Sequence, residues 1–317
     1  MDISVVVPLF NEVDSLPELT EWIDKVLKSN DFTYEVILID DGSTDDSWEL
    51  IEQLSRQNPC IKGIKFRRNY GKSAGLYCGF KQAEGDVVIT MDADLQDSPE
   101  EIPDLYRMIT EEKYDLVSGW KKKRYDPVLS KNIPSKFYNW TARRMTGIKI
   151  HDFNCGLKAY RKQVVKSIEV YGDMHRYIPV LAKWAGFKRI GEKVVQHQER
   201  KFGVTKFGME RFIRGPLGLL SVIFISKFSK RPMHFFGVFG TLTFMIGFAA
   251  AVWVGAQKLY LTLNNQLAPR ITDSPYFFLS LAAMIIGTQL FLAGFLAELN
   301  FRNSSERNTY LIDKKTT

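Results

Sequence analysis

Four strand patterns alternate with three helix patterns in the first part of the chain. Runs of apolar and β-branched residues predict strands at residues 3–8, 34–39, 61–66 and 86–91. Helical spacing of apolar residues predicts helices at residues 15–27, 46–57 and 73–83, the second of them capped by Thr44 or Asp45. This order predicts an α/β fold, with a mostly parallel sheet and helices on both faces.

Polar side chains follow three of these strands at the point where each strand ends. They are Asn11 with Glu12, Asp40 with Asp41, and the hexapeptide DADLQD at residues 92–97. Ligands of parallel sheets bind outside the carboxyl ends of the strands. Three polar clusters at one edge therefore predict a nucleotide site there.

The hexapeptide places three carboxylates and one amide at this open edge. Alternate side chains of an extended chain point to the same side, so we expect Asp92, Asp94 and Gln96 to share one face. Oxygen ligands grouped in this way suit Mg²⁺ or Mn²⁺ beside a phosphate-bearing substrate. Taken alone, the hexapeptide is equally typical of an acidic turn without a ligand.

Two common nucleotide-binding patterns do not occur at the expected places. The first strand is not followed by G-x-G-x-x-G, and the tripeptide GKS at residues 71–73 lacks the upstream glycine of a P-loop. A dinucleotide-dependent oxidoreductase and a P-loop nucleotide hydrolase are therefore poor interpretations.

Two apolar runs of about twenty residues, 235–254 and 276–297, carry no charge. Each is long enough to cross a bilayer core, so transmembrane helices are predicted at about 235–256 and 276–297. Most of the flanking basic residues precede the first run or follow the second: Lys227, Lys230, Arg231, Arg302, Arg307, Lys314 and Lys315. The positive-inside rule then places both termini in the cytoplasm. Two buried helices of a soluble protein are the alternative.

Residues 209–231 mix basic and apolar side chains and are interrupted at Gly215 and Pro216. They predict short amphipathic helices in the membrane interface, or alternatively a helix packed on the soluble domain. The predicted organisation is a cytoplasmic domain at 1–208, interfacial helices at 209–231, two spans within 232–300 and a cytoplasmic tail at 301–317.

The net charge is +7, and the basic residues beside the spans explain it better than nucleic acid binding. Three widely spaced cysteines favour a reducing compartment. The first strand begins at once with no basic stretch before it, so no signal peptide is expected.

Three motifs in order, VVVPLFNE at 5–12, DDGSTD at 40–45 and DADLQD at 92–97, resemble the family 2 glycosyltransferases of GT-A fold. With two C-terminal spans, the chain resembles their polyprenyl-phosphate branch, which includes bactoprenol glucosyltransferases and dolichyl-phosphate mannose synthase. The resemblance implies a Rossmann-like GT-A catalytic domain, and inverting transfer of a hexose from a nucleotide sugar to undecaprenyl or another polyprenyl phosphate. The reaction would use Mg²⁺ or Mn²⁺ at the cytoplasmic face of the inner membrane, in contact with the lipid bilayer.

Glucose from UDP-glucose is the first expectation for the donor, and GDP-mannose or a UDP-N-acetylhexosamine is the alternative. From another functional class, a non-catalytic membrane scaffold that binds a nucleotide sugar is also considered. Assembly into a homo-oligomer is left open.

The resemblance also implies roles for individual residues of the donor site. It places Pro8, Phe10, Glu12 and Asp41 around the base and ribose and Lys72 over the base, and it counts Asp92, Ala93 and Asp94 among the donor-binding residues. Asp94 is the first choice for direct metal ligation, Gln96 assists, and Asp92 lies nearer the ribose or the metal's waters. Packing at a strand end is the alternative for Pro8 and Phe10, and a solvated lysine is the alternative for Lys72.

Basic residues complete the implied site. Arg124 and Lys136 are expected at the acceptor phosphate, which needs cations when it leaves the headgroup layer. Arg200 and Lys206, in a stretch resembling the family's Arg-x-x-Gly-x-Ser/Thr-Lys loop, are expected to clamp the donor diphosphate. The run KKK at 121–123 is more typical of a solvated face.

Asp152 resembles an acidic residue that is proposed as the base in the family. A phosphate acceptor is largely deprotonated at neutral pH, so orienting a basic side chain is the alternative role for Asp152. Where many members carry an acidic residue in the next helix, this chain has His175. His151, His175 and His197 lack metal-ligand spacing and are expected to be structural.

Overall fold

The computed structural model describes residues 1–122, 139–140, 142–144, 146–198, 201, 232–267 and 269–302. The chain divides into two compact units, Met1–Ile223 and Phe224–Thr317. The predicted interfacial helices at 209–231 lie outside the described residues.

The described part of the first unit contains a seven-stranded sheet in the order β3-β2-β1-β4-β6-β5-β7. The strands are β1 (Ile3–Leu9), β2 (Tyr34–Asp40), β3 (Ile61–Lys65), β4 (Val87–Thr90), β5 (Leu116–Trp120), β6 (Lys158–Arg161) and β7 (Ile190–Val194). Strand β6 runs antiparallel to its neighbours β4 and β5, and the other pairs are parallel. The predicted α/β fold with a mostly parallel sheet is confirmed.

Helices cover both faces of this sheet, as predicted. They are α1 (Leu16–Ser29), α2 (Ser47–Gln57), α3 (Lys72–Gln82), α4 (Ile102–Thr110), α5 (Lys162–Ser167) and α6 (Ile178–Trp184). Alternate residues of β1 pack into different cores: Val5 and Val7 lie with residues of α1, α2 and α4, whereas Val6 lies with residues of α3, α5 and α6. Burial on both faces explains why the strands read as continuous apolar runs.

The register of the sheet brings the ends of β1, β2 and β4 together. Leu9 is the partner of Asp40, and Val6 is the partner of Thr90. The chain that follows Thr90 therefore continues beside the end of β1, where Phe10 and Asn11 follow. The three polar clusters that the sequence predicts at one edge do meet there.

The second unit contains two long helices, α7 (Pro232–Leu263) and α8 (Pro275–Arg302). Both are long and apolar enough to cross a membrane. A Cβ atom added at Gly240 would lie 2.7 Å from the carbonyl oxygen of Gly287. A Cβ atom added at Gly287 would lie 2.6 Å from the carbonyl oxygen of Gly240. These two glycines therefore let the helix backbones approach closely, as in packed membrane helices.

Candidate functional site

The loops after β1 and β2 are tied together by hydrogen bonds. The amide of Asn11 donates to Ser43 Oγ at 2.9 Å, and the amide of Thr44 donates to Asn11 Oδ1 at 2.8 Å. The amide of Ser43 donates to Asp40 Oδ1 at 2.7 Å. Asn11 adopts a φ of 54°, a left-handed conformation that asparagine tolerates better than most residues. The first two polar clusters thus form one continuous edge.

Pro8, Phe10 and Glu12 are half-buried along this edge. The Cβ atom of Pro8 would be 3.1 Å from a Cβ atom added at Gly75 of α3, so Pro8 packs under that helix. The amide of Glu12 donates to Ser47 Oγ at 3.1 Å, where α2 begins. These contacts place all three residues beside the strand ends, and their roles toward a base and ribose stay predictions.

Asp41 holds the loop that leads into α3. Its carboxylate accepts the amides of Tyr70 at 2.7 Å and Gly71 at 2.9 Å. Burial raises the pKa of Asp41, and the two amide donors lower it by less, so the pKa is raised overall. Gly71 has a φ of 91°, which favours glycine at this turn. The carboxylate expected beside a nucleoside is therefore already engaged in shaping the neighbouring loop.

The loop that Asp41 holds presents an aromatic surface. The Tyr70 ring is 55% exposed and lies edge-on to Phe66, with a centroid distance of 5.6 Å. The Arg68 guanidinium lies over the Tyr70 ring, 4.4 Å from its centroid. An exposed ring with a stacked cation can pack against the flat face of a base.

Lys72 and Asp92 form an ion pair at the centre of the site, with side chains 34% and 32% exposed. Burial opposes ionisation of Asp92, but the cations of Lys72 and Lys121 outweigh it and lower its pKa to about 2. A Cβ atom added at Gly156 would lie 2.6 Å from the Asp92 carboxyl carbon, so glycine leaves room for this carboxylate. Lys72 is therefore engaged in an ion pair at the start of α3, and its role over a base stays a prediction.

The chain turns after Asp92 instead of staying extended. Residues Ala93 and Asp94 form a turn, Asp94 Oδ1 accepts the amide of Gln96 at 3.2 Å, and Leu95 has a φ of 58°. The strand also ends at Thr90, one residue before the predicted end. The predicted shared face nevertheless survives in the burial pattern. Asp92, Asp94 and Gln96 are partly exposed, whereas Ala93, Leu95 and Asp97 are buried.

The third carboxylate of the hexapeptide is not at the open edge, which corrects the sequence-based expectation. Asp97 is fully buried and pairs with Lys121, whose Nζ lies 2.6 Å from Asp97 Oδ1. The Lys121 side chain is only 12% exposed, so its assignment to a solvated face is also wrong. Burial opposes the charge on Lys121, but the Asp97 carboxylate more than compensates and raises its pKa.

Two further residues of the site carry no functional role in the sequence interpretation. Lys158 is 4% exposed, donates to the Cys155 carbonyl oxygen, and belongs to β6 opposite Thr90. Burial lowers the pKa of Lys158. Lys158 begins a strand of mixed polarity, KAYR at residues 158–161, so periodicity alone does not mark it as buried. A buried lysine needs a nearby partner.

His175 is the second such residue. Its Nδ1 lies 3.0 Å from Ser73 Oγ, and its amide donates to the same oxygen at 3.1 Å. Burial lowers the pKa of His175 well below its usual value, and the cation of Lys72 adds to this effect. The ring therefore stays neutral at physiological pH, and Ser73 fixes it at the start of α3 beside Lys72.

Asp152 is buried and its Oδ1 accepts the amide of Asn154 at 3.1 Å. Its carbonyl oxygen accepts the Ser118 hydroxyl at 3.2 Å. These bonds fix Asp152 in its loop, and both the base role and the orienting role stay predictions. The four basic residues expected at the two phosphates lie outside the described residues: Arg124, Lys136, Arg200 and Lys206.

The other two histidines have different surroundings. His151 stacks on Trp120 with a centroid distance of 4.2 Å, and its Nδ1 lies 2.5 Å from Glu192 Oε1. His197 forms a backbone bridge with Asp97. Within the described residues, no group of three or more histidine, cysteine or acidic side chains is arranged to hold a metal ion unaided.

Comparison with known proteins gives a consistent picture. Residues 4–169 match the model of glycosyl transferase family 2. The chain is 35% identical over 301 residues to dodecaprenyl-phosphate galacturonate synthase of Rhizobium johnstonii, covering 94% of this chain and 87% of the relative. It is 33% identical over 298 residues to undecaprenyl-phosphate 4-deoxy-4-formamido-L-arabinose transferase of Klebsiella pneumoniae, covering 93% and 87%.

Among solved structures, the fold is similar to glucosyl-3-phosphoglycerate synthase of Mycobacterium tuberculosis in complex with Mn²⁺ and UDP-glucose. The TM-score is 0.52 at 19% identity, covering 71% of this chain and 78% of that one. This likeness supports the GT-A architecture of the first unit.

Proposed function

The chain belongs to glycosyl transferase family 2, and we propose that it transfers a sugar from a nucleotide sugar to polyprenyl phosphate at a membrane. One observation carries the proposal. The same chain combines a family 2 site at the edge of its sheet with two helices long enough to span a bilayer. A lipid phosphate stays at the membrane surface, so an enzyme that uses it must be held there.

The names of the relatives support the lipid acceptor. Both relatives are named for a polyprenyl phosphate, one dodecaprenyl and one undecaprenyl, and each aligns with more than nine-tenths of this chain. The alignment therefore extends beyond the catalytic unit into the helical one. The basic residues around the spans support both termini on the cytoplasmic side.

The donor site would lie between the exposed Tyr70 ring and the turn at Asp94. The aromatic surface suits the base, and Asp92 and Lys72 form a charged centre beside it. Arg200 and Lys206, in the basic stretch at residues 199–207, would complete the diphosphate site. A UDP-sugar is the proposed donor.

The acidic turn at residues 92–97 suits a divalent metal ion that binds together with substrate. Mg²⁺ and similar ions are commonly held by one or two carboxylates, with substrate phosphates and water completing the coordination. Asp94 would hold the ion with help from Gln96, because Asp92 is already paired with Lys72. When bound, the ion supplies positive charge that stabilises the departing nucleoside diphosphate.

The proposed reaction is a single displacement. An oxygen of the acceptor phosphate attacks the anomeric carbon, and the bond from that carbon to the nucleoside diphosphate breaks, with inversion. Arg124 and Lys136 would hold the acceptor phosphate, and Asp152 would orient basic side chains around it. Lys72 keeps Asp92 ionised and in place.

The sugar is the least constrained part of the proposal. Glucose is the first expectation from the sequence resemblance, whereas the two relatives described above are named for galacturonate and 4-deoxy-4-formamido-L-arabinose. Galacturonate therefore takes first place among the donors to test, followed by the formamido-arabinose and glucose. GDP-mannose and UDP-N-acetylhexosamines complete the set.

The test uses membranes that contain the full chain, undecaprenyl phosphate and one labelled nucleotide sugar at a time. We expect one donor to label the organic-solvent phase, and chelation of divalent metal to remove the label. Membranes without the chain give the background. If the chain binds one of these donors but none labels lipid, the protein is the non-catalytic scaffold that the sequence leaves as an alternative.

A further inference from the structure

Asp97 lies where three segments of the catalytic unit meet. It ends the acidic turn, its side chain pairs with Lys121 just after β5, and its backbone bridges to His197 after β7. Asp97 is fully buried, and its Oδ2 has no hydrogen-bond partner among the described residues. A buried carboxylate with so few partners depends on Lys121 for its stability.

The segment around His197 is fastened to the acidic turn at several points. The amide of Gln198 donates to the carbonyl oxygen of Gln96 at 3.0 Å, and Gln96 Nε2 donates to the Gln198 carbonyl oxygen at 3.4 Å. The amide of Gln196 donates to Glu101 Oε1 at 3.0 Å. The next residues along the chain, 199–207, form the basic stretch with Arg200 and Lys206.

We propose that Asp97 and Lys121 are a buried positioning pair that holds the acidic turn in a fixed position relative to residues 196–198, which lead into the basic stretch. Neither residue touches the donor in this proposal. The pair acts through Gln96 and Gln198, whose hydrogen bonds fasten the acidic turn to the segment that follows β7. This inference rests on the proposed use of a nucleotide-sugar donor.

The acidic turn would carry the metal ion, which is why its position matters. Asp94 would hold the ion at the diphosphate with help from Gln96, and Gln96 also makes both hydrogen bonds to Gln198. A displacement of about 1 Å between such groups can cost about a hundredfold in rate. A fixed link between Gln96 and Gln198 would therefore set how well the donor is held.

The chain supplies a matched control at the opposite end of the sheet. Glu35 is also buried, and its Oε2 lies 2.7 Å from Lys62 Nζ. Glu35 is near the start of β2, whereas the candidate site follows the end of that strand. The Lys62 side chain is 48% exposed, so breaking this pair removes the partner of a buried carboxylate in the same unit without touching the acidic turn.

The experiment compares Asp97→Asn and Lys121→Met with Glu35→Gln and Lys62→Met in the full-length chain. We expect the two site variants to raise the donor KM about tenfold or more, and to leave the acceptor KM within about twofold. Lys121→Arg keeps the charge and should stay close to wild type. The control variants should lower Tm without changing either KM.

Amide hydrogen exchange gives a readout that does not depend on activity. Asp97→Asn should speed exchange at Gln198, whose amide is bonded to Gln96, and Glu35→Gln should not. If Asp97→Asn does not fold, the double variant Asp97→Asn with Lys121→Met removes both charges together and takes its place, because it leaves no unpaired buried charge.

Two results would overturn the proposal. One is a folded Asp97→Asn or double variant with wild-type donor KM and unchanged exchange at Gln198. The other is an equal rise in donor KM for the control variants at the same loss of Tm. If the wild-type chain transfers no sugar at all, the proposed function fails instead, and the exchange data still decide the role of the pair.

Discussion

The edge of the sheet and the pair of apolar helices are stabilised by different means. The edge gathers charged side chains that are partly or fully buried, and each depends on a particular partner, such as Lys72 for Asp92 and Lys121 for Asp97. The helices approach through small residues, with Gly240 against Gly287. At the edge, individual ion pairs hold the charged side chains, whereas close contact of small residues holds the helix pair.

This contrast makes clear predictions, because the two regions should respond differently to comparable substitutions. Changes at the edge should reduce activity more than stability. Changes in the helix pair should reduce stability more than the chemical step.

The largest effect is expected for Asp94→Ala. Removal of this partly exposed carboxylate should reduce sugar transfer at least about a hundredfold, because the metal ion that would stabilise charge on the diphosphate would lose its principal protein ligand. Tm should change little, since little packing is lost. The same substitution at exposed Glu111 is the control, and both variants are measured by labelled-lipid formation and thermal unfolding. Full activity of Asp94→Ala would end its assignment as a metal ligand.

Gly156→Ala should have the next largest effect. The added methyl group would meet the carboxylate of Asp92, so Asp92 must move or the strand must shift. Overpacking of this kind costs about 1–3 kcal/mol in stability, and transfer should fall about tenfold or more. Gly255→Ala in α7, where an added Cβ atom meets nothing within 4 Å, is the matched control and should keep full activity. Equal activity of the two variants would show that the Asp92 position is not critical.

Gly287→Ala should reverse the pattern. Its methyl group would meet the backbone of α7 at Gly240, so the helix pair should lose about 1–3 kcal/mol of stability. Donor KM should stay within about twofold of wild type in variant protein that remains folded in the membrane. Thermal unfolding in detergent and donor kinetics measure the two quantities. A raised donor KM with unchanged stability would contradict the division of roles between the two units.

The smallest effect concerns the pH dependence of stability at His175. The folded protein holds this imidazole neutral with a depressed pKa, whereas the unfolded chain binds a proton below about pH 6.5. Stability should therefore fall as the pH drops below about 6.5 and be unaffected above it. His175→Gln removes this contribution and should flatten the Tm profile below about pH 6.5. An unchanged slope in the variant would mean that His175 is protonated in the folded state.

Some residues at the edge of the sheet could be predicted from the sequence, and others could not. Asp40, Asp41 and Asp92 were predictable because parallel strands end at the same side of a sheet, and the register of β1 with β2 and β4 realises this. The turn after Asp92 was not predictable from the sequence, because it needs a positive φ at Leu95, and leucine rarely adopts one. Local patterns describe what single segments favour, and here the surrounding structure overrides that preference.

Lys121, Lys158 and His175 show the second limit. Lys121 and Lys158 reach the site because β6 inserts antiparallel between β4 and β5. His175 reaches it through its contacts with Ser73 at the start of α3. Such long-range pairing leaves no periodic signal in the sequence. The helix pair was easier to predict, since apolar runs of this length suffice, although α7 extends to Leu263 beyond the predicted end near residue 256.

The most direct measurement identifies both products formed by the purified chain from undecaprenyl phosphate and its best nucleotide sugar. Mass spectrometry of the lipid and quantification of the released nucleotide are done on the same reaction. We predict a lipid that carries one phosphate and one sugar, formed in a one-to-one ratio with nucleoside diphosphate, and at least about a hundredfold less of both products from Asp94→Ala. A lipid with two phosphates and release of nucleoside monophosphate, or sugar transfer that is intact in Asp94→Ala, would contradict the account.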